Sequence, residues 1–230
     1  GGQWGGGGGG CPRSCAGGGE ARRRAVGDRQ GGVRIATGAY KARDIQAPGV
    51  GLDNIVPALD YLIASNRKGL GARVPAFDDG GLDAMGKRVV VIGGGDTAMD
   101  CVRTAVRQGA KSITCLYRRD RENMPGSRRE VQYAADEGVK FQFLAAPEAF
   151  VGDDAVTGVR AIRIHLGVPD ASGRQTPEPI EGSHFTVEAD LVIKALGFDP
   201  DDLPTLFGAS ELGVTRWGTI RIEYQTKMTN

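Results

Sequence analysis

The chain has 230 residues, 40% hydrophobic and 25% charged, with a formal net charge of +1. That is an ordinary globular composition, with room for one large or two modest domains. It gives no whole-chain case for a nucleic-acid partner, and no apolar run approaches membrane-spanning length. The first residue is Gly1 rather than Met and no secretory signal is visible, so the sequence reads as a fragment of a cytoplasmic protein.

Residues 1–32 contain 14 glycines and five arginines and almost no large apolar side chains. Such a stretch cannot bury enough surface to offset its ordering entropy, and it reads as a disordered glycine-rich tail. Arg22-Arg23-Arg24 suggests nucleic-acid contact, but Trp4 is the only aromatic, and a solvated tail is favoured. Cys11 and Cys15 are spaced C-P-R-S-C, which is not the two-residue gap of a redox dithiol or zinc knuckle. Val33 to Ala36 reads as a short strand ended by Thr37-Gly38, and Lys41 to Gly49 as a loop. Pro57 opens a helix with Leu59, Leu62, Ile63 and Asn66 at periodic spacing and Gly69 as its stop. A linker rich in Gly, Asp and Pro follows over 69–86.

The stretch Arg88 to Gln108 organises the chain. The β-branched run Val89-Val90-Val91-Ile92 is followed at once by Gly93-Gly94-Gly95, and Asp96 opens an amphipathic helix. The spacing from Gly93 through Gly95 to Ala98 is G-x-G-x-x-A, a dinucleotide fingerprint. Gly93 allows the tight turn, Gly95 lets a pyrophosphate approach the backbone, and Ala98 lets the helix lie against the strand. The free N–H groups and the positive end of the helix dipole face the phosphates. A structural turn without a ligand is the competing reading. Apolar spacing at Ala98, Cys101, Val102, Ala105 and Val106, a stop at Gly109 and a second strand over Ser112 to Tyr117 all favour nucleotide binding. Cys101 and Cys115 read as buried apolar residues.

Arg118 and Arg119 end that second strand, with Asp120 after them. In this fold an acidic residue there binds a ribose 2′-OH and an arginine receives a 2′-phosphate. The arginines stand nearer the strand end, which favours the phosphorylated cofactor over the unphosphorylated reading through Asp120. Ser127-Arg128-Arg129-Glu130 has the form of a capping box opening a helix that Gly138 closes. Lys140 to Leu144 alternates as a third strand, so the strands form a parallel sheet with right-handed crossovers.

From Ala149 the pattern changes to an antiparallel meander. Its strands are Ala149 to Val151, Val159 to Leu166 and Ser183 to Val187, joined by turns at Asp153-Asp154 and Pro169 to Glu181. Leu191 to Gly197 returns as a strand whose end faces the crevice at Gly93, and Trp217 to Tyr224 reads as a last strand. His165 and His184 sit in the meander in packing or surface roles. No catalytic side chain and no metal ligand emerges.

The chain is thus an α/β protein, a Rossmann-like parallel sheet with a β-meander. Together these elements resemble the NAD(P)H domain of the two-dinucleotide-fold flavoprotein reductases. VVVIGGGDTAMDCVRTAVRQGAK, CLYRRDRENMPGS, HLGVPDASGRQTPEPIEGS, ATGAYKARDIQAPG, ALDYLIASNRKGLG and DLVIKALGFDPDDLP resemble the small (beta) subunit of NADPH-dependent glutamate synthase, over about residues 33 to 230. The resemblance implies a fragment with a partial FAD-domain segment and linker helix at 33–86, an NADPH-binding domain at 87–198 and a return segment at 199–230. It implies an oxidoreductase in which NADPH passes a hydride to FAD. Electrons then cross iron–sulfur clusters to the large (alpha) subunit, where glutamine and 2-oxoglutarate become glutamate in ammonia assimilation. By motif and resemblance the cofactor-binding residues are Gly93, Gly94, Gly95, Asp96 and Thr97 for the phosphates and Arg118 and Arg119 for the 2′-phosphate. Gly197 and Thr37-Gly38 match two strand-end junctions. The sequence departs from the family in lacking the FAD fingerprint and the cysteine-rich cluster segment. Two four-iron clusters need eight thiolates, and only Cys11 and Cys15 are near. A related FAD/NADPH reductase with another partner, pyrimidine-reducing or sulfide-linked, and a non-catalytic NADPH-binding fragment are the alternatives.

Overall fold

The computed structural model describes residues 25–27, 33–171 and 173–229. Contacts divide the chain into two units, 1–39 and 40–230. In the first, β1 (Ala25–Gly27) pairs antiparallel with β2 (Val33–Ile35). The reading of 1–32 as a disordered tail therefore misses one strand, and otherwise lies outside the described residues. The same holds for Cys11 and Cys15.

The second unit opens with β3 (Lys41–Ala42), inside the stretch expected as loop, and β4 (Ile55–Pro57). Helix α1 (Ala58–Gly69) and the short α2 (Pro75–Asp78) lead to β5 (Arg88–Ile92), α3 (Asp96–Arg107), β6 (Ser112–Tyr117), α4 (Arg128–Asp136) and β7 (Lys140–Phe143). Four antiparallel strands follow, β8 (Ala145–Gly152), β9 (Val156–Pro169), β10 (Gln175–Pro179) and β11 (Phe185–Glu188). The chain then returns through β12 (Leu191–Lys194) and β13 (Phe198–Asp199) to α5 (Leu203–Phe207).

The main sheet has the order β4-β12-β5-β6-β7, and every pairing in it is parallel. The β-branched runs explain why it is central. Val89 and Val91 point to one face, with Ile113, Cys115, Leu191 and Ile193, and meet Tyr61, Met99, Val102 and Ala105 of the helices. Val90, Ile92, Leu116 and Val192 point to the other face and meet Phe150, Val156 and Val159 of the antiparallel layer. Each such buried branched side chain contributes roughly 1.5–3 kcal/mol, so both layers are fastened to the same strands. Cys101 and Cys115 are buried, and burial pushes the Cys115 thiol up to about 12. No helix among the described residues is long and apolar enough to cross a membrane.

Several local expectations are corrected. Pro57 ends β4 and caps α1 rather than occupying its first turn. The buried face of α1 is Ala58, Tyr61 and Ala64, while Ile63 is exposed, because small alanines let the helix approach the sheet. Residues 55–69, placed before the nucleotide domain by sequence, join its sheet and core. The turn expected over Pro169 to Glu181 contains β10, which pairs with β9 through Pro177 and Pro179. Prolines donate nothing to a ladder and suit such an edge. The expected strand from Trp217 to Tyr224 is absent, and only Val214 and Ile220 bridge there, because no neighbouring strand accepts the alternation. Ser127 makes no side-chain cap, so the capping box does not form, and Glu130 pairs with Arg103 instead.

Arg88, at the start of β5, donates from its backbone N and Nε to Asp190, both at 2.9 Å, and from Nη2 at 2.6 Å. This staples the amino ends of β5 and β12. Hydrogen bonding to Arg88 holds the Asp190 carboxyl at about 2, below its usual value. A carboxyl depressed in the fold adds stability above its unfolded value, near pH ~4, and loses it as pH falls toward ~2. Asp190→Asn is expected to flatten the acid limb of denaturant midpoints between about pH 5 and about pH 2.5. An acid limb as steep as that of the unaltered chain would assign it to other carboxylates.

Candidate functional site

Three consecutive glycines leave β5, each with its own reason to be glycine. Gly93 has φ +145°, and a Cβ there would stand 2.1 Å from the Ala195 carbonyl oxygen. A Cβ on Gly94 would meet the Tyr117 ring at 2.6 Å. These two are required by the protein's own packing. Gly95 is different. Its φ of −88° and ψ of 178° suit any residue, and no heavy atom lies within 4 Å of the place its Cβ would take. Neither backbone nor packing demands glycine there, and the space above it is open.

Gly95 also caps α3. Its carbonyl accepts the Ala98 N–H at 2.9 Å and the Met99 N–H at 3.1 Å, and the Ala98 side chain is fully buried against the sheet. The N–H groups of Gly95, Asp96 and Thr97 meet no acceptor among the described residues. Those donors stand at the positive end of the α3 dipole, the arrangement that takes a phosphate or pyrophosphate. The Asp96 carboxylate turns aside to accept the Ser127 N–H at 2.8 Å, and Gly126 donates to the Gly94 carbonyl at 3.0 Å. The segment after β6 is thereby tied to the glycine loop, a link that the sequence reading missed. Gly126, next to Pro125, was the available signal.

β6 runs beside β5, with Ile92 opposite Leu116, so Arg118 and Arg119 emerge next to the glycine loop. Arg118 is exposed. Arg119 is half-buried and donates to the Gln175 carbonyl of β10 at 3.1 Å. Both line a cleft of about 530 Å³ shared with Ala146, Ile164, Asp170 and Arg174. Asp120, the residue that an unphosphorylated ribose would use, accepts from the Asn123 backbone and side chain, each at 2.8 Å. One of its carboxylate oxygens is thus spent on its own loop.

On the other side of β5, β12 ends beside the glycines, with the Ala195 N–H donating to the Ile92 carbonyl at 2.8 Å. Gly197 follows with φ +84° and accepts the Arg43 N–H at 3.1 Å. The structure therefore gathers Gly93, Gly94, Gly95, Asp96, Thr97, Arg118 and Arg119 along one end of the parallel strands, with Gly197 past the neighbouring strand. Thr37 and Gly38 belong to the 1–39 unit, where Gly38 has φ +69° and its carbonyl accepts the Thr37 hydroxyl at 3.3 Å. His165 pairs with Glu178 at 3.0 Å and His184 with Glu148 at 3.1 Å, the surface roles expected of them. Among the described residues no three His, Cys, Asp or Glu side chains gather as a metal site.

The family model for pyridine nucleotide-disulphide oxidoreductases matches residues 32–230. The chain is 69% identical over 198 residues to the glutamate synthase [NADPH] small chain of Azospirillum brasilense, covering 86% of this chain and 41% of that protein. It is 60% identical over 206 residues to a putative glutamate synthase [NADPH] small chain of Cereibacter sphaeroides, covering 90% and 49%. The chain thus spans less than half the length of either relative. Among solved structures, FprA of Mycobacterium tuberculosis in complex with NADPH superposes with a TM-score of 0.58 at 20% identity, over 71% of this chain and 49% of that one. That likeness establishes the α/β fold.

Proposed function

The chain belongs to the pyridine nucleotide-disulphide oxidoreductase family, and on that premise we propose that the loop between β5 and α3 binds NADPH and that the chain is the NADPH-binding part of a glutamate synthase small subunit. One observation carries the reading. Gly95 is a glycine that neither conformation nor packing requires, under open space and beside unpartnered N–H groups, as a bound pyrophosphate would demand. Arg118 and Arg119 support the phosphorylated form of the cofactor, and the likeness to two glutamate synthase small chains supports the parent enzyme.

In this division 87–198 is the nucleotide domain, with residues 55–69 added to its sheet, and 33–54 and 199–230 are segments toward a flavin domain. When bound, the nicotinamide supplies a hydride, for which FAD is the acceptor in this reading. The chain's own residues bind and orient, and hydride transfer asks no side chain for a proton. The described residues hold one strand–glycine loop–helix unit, so no flavin step is assigned to them. The large subunit, iron–sulfur electron transfer, glutamate formation and a cytoplasmic setting come with the parent enzyme.

The reading is tested by recording the visible spectrum of the purified chain and then assaying NADPH-dependent dye reduction with FAD added. NADPH binding by the chain, read as a change in nucleotide fluorescence, is the supporting outcome, and dye reduction above the chain-free control would add a working flavin site to it. Failure to bind NADPH, with or without flavin, would refute it.

A further inference from the structure

β9 and β10 pair as a hairpin, and Asp170 and Arg174 at its turn line the same cleft as Arg118 and Arg119 at the end of β6. Arg174 stands at that turn and lines the cleft together with Arg118 and Arg119. Resting on the NADPH reading above, we infer that Arg174 is a third arm of the 2′-phosphate site and a determinant of specificity for the phosphorylated dinucleotide.

The turn holds Arg174 in place. The Asp170 N–H donates to the Arg174 carbonyl at 2.9 Å, and the Arg174 N–H donates to the Asp170 carboxylate at 3.0 Å. The Gly173 N–H closes the same turn on the Asp170 carbonyl at 2.8 Å. The next residue, Gln175, accepts from Arg119 through its carbonyl and donates to the Gly167 carbonyl from its side chain, both at 3.1 Å. Arg119 therefore ties the hairpin to the end of β6.

Charge decides what the cleft takes. Arg43, Arg88, Arg103 and Arg160 are each paired with a carboxylate. Among the described residues no such partner lies on Arg118 or Arg174. Three arginines line the cleft against one carboxylate residue, Asp170, whose side chain accepts from the backbone of its own turn. A phosphate monoester carries close to two negative charges and three acceptor oxygens, which suits planar guanidinium donors. A ribose hydroxyl offers neither.

The test is calorimetric titration of the 230-residue chain with 2′,5′-ADP and with 5′-ADP, which lacks the 2′-phosphate. Arg174→Ala is expected to weaken 2′,5′-ADP about tenfold and to leave 5′-ADP within about twofold, as loss of one charge-assisted contact requires. Arg174→Lys, which keeps the charge on an exposed side chain, recovers part of the loss. Unchanged 2′,5′-ADP binding in Arg174→Ala, with the preference lost in Arg118→Ala/Arg119→Ala, would overturn the role of Arg174 and leave the NADPH reading standing. Equal weakening of both nucleotides would make Arg174 a support of the hairpin alone. No preference for 2′,5′-ADP in the unaltered chain would overturn the underlying reading and this inference with it.

Discussion

Gly95→Val is expected to weaken NADPH binding by at least about a hundredfold and to leave the chain folded. The fold tolerates it for local reasons. The φ of −88° and ψ of 178° at Gly95 lie in the extended region that valine prefers, and no protein atom lies within 4 Å of the new Cβ. Loss of a glycine N-cap costs on the order of 1 kcal/mol at most, a few degrees in Tm for a domain of this size. Binding does not tolerate it, because branched methyl groups would fill the space beside the N–H groups of Asp96 and Thr97. Two lost charge-assisted hydrogen bonds at about 1.5–3 kcal/mol each correspond to roughly 10²–10⁴ in affinity. Gly93→Ala is the control. With φ at +145° and the Ala195 carbonyl 2.1 Å from its Cβ, it lowers Tm well beyond Gly95→Val. Fluorescence titration and thermal melts of the two variants separate the effects. Unchanged NADPH affinity in Gly95→Val would reduce the loop to a structural turn.

The double variant Arg118→Ala/Arg119→Ala is expected to lower NADPH affinity by about 10²–10⁴ if the two contacts add, leaving a preference over NADH of about tenfold that Arg174 supplies. NADH affinity changes little, since it presents only a hydroxyl at that place. The loss falls short of the upper figure if Arg119 spends part of its donors on the Gln175 carbonyl, as its 3.1 Å contact indicates. Arg118, exposed and without a carboxylate partner among the described residues, carries the larger share, and the single variants rank the two. Equal losses for both dinucleotides would remove the 2′-phosphate assignment.

How far the sequence could be read depended on how local the cause was. Val89 to Ile92 and the helix from Asp96 were legible because each signal lies within one element, a buried β-branched run and a stripe of small residues. The motif spacing assigned Gly93 to the turn and Gly95 to an approaching pyrophosphate, and the backbone angle at Gly93 with its approach to Ala195 supplies the physical reason for the first. β4 was illegible because three residues ending in Pro57 show no period, and its pairing with β12 comes from more than a hundred positions away. β10 was hidden by Pro177 and Pro179, which signal turns except at a sheet edge. The capping box failed because distant partners took both of its members, Asp96 the Ser127 N–H and Arg103 the Glu130 carboxylate. Arg118 and Arg119 could be proposed from their place at a strand end, whereas proposing Arg174 needed the hairpin that places it in the same cleft.

The most direct test is the ratio of dissociation constants for NADPH and NADH on the unaltered chain, measured by nucleotide fluorescence in one buffer at fixed salt. An open phosphate cradle at Gly95 beside an arginine-lined cleft predicts that NADPH binds tighter by about a hundredfold or more. Equal affinity, tighter binding of NADH, or no binding of either would contradict it.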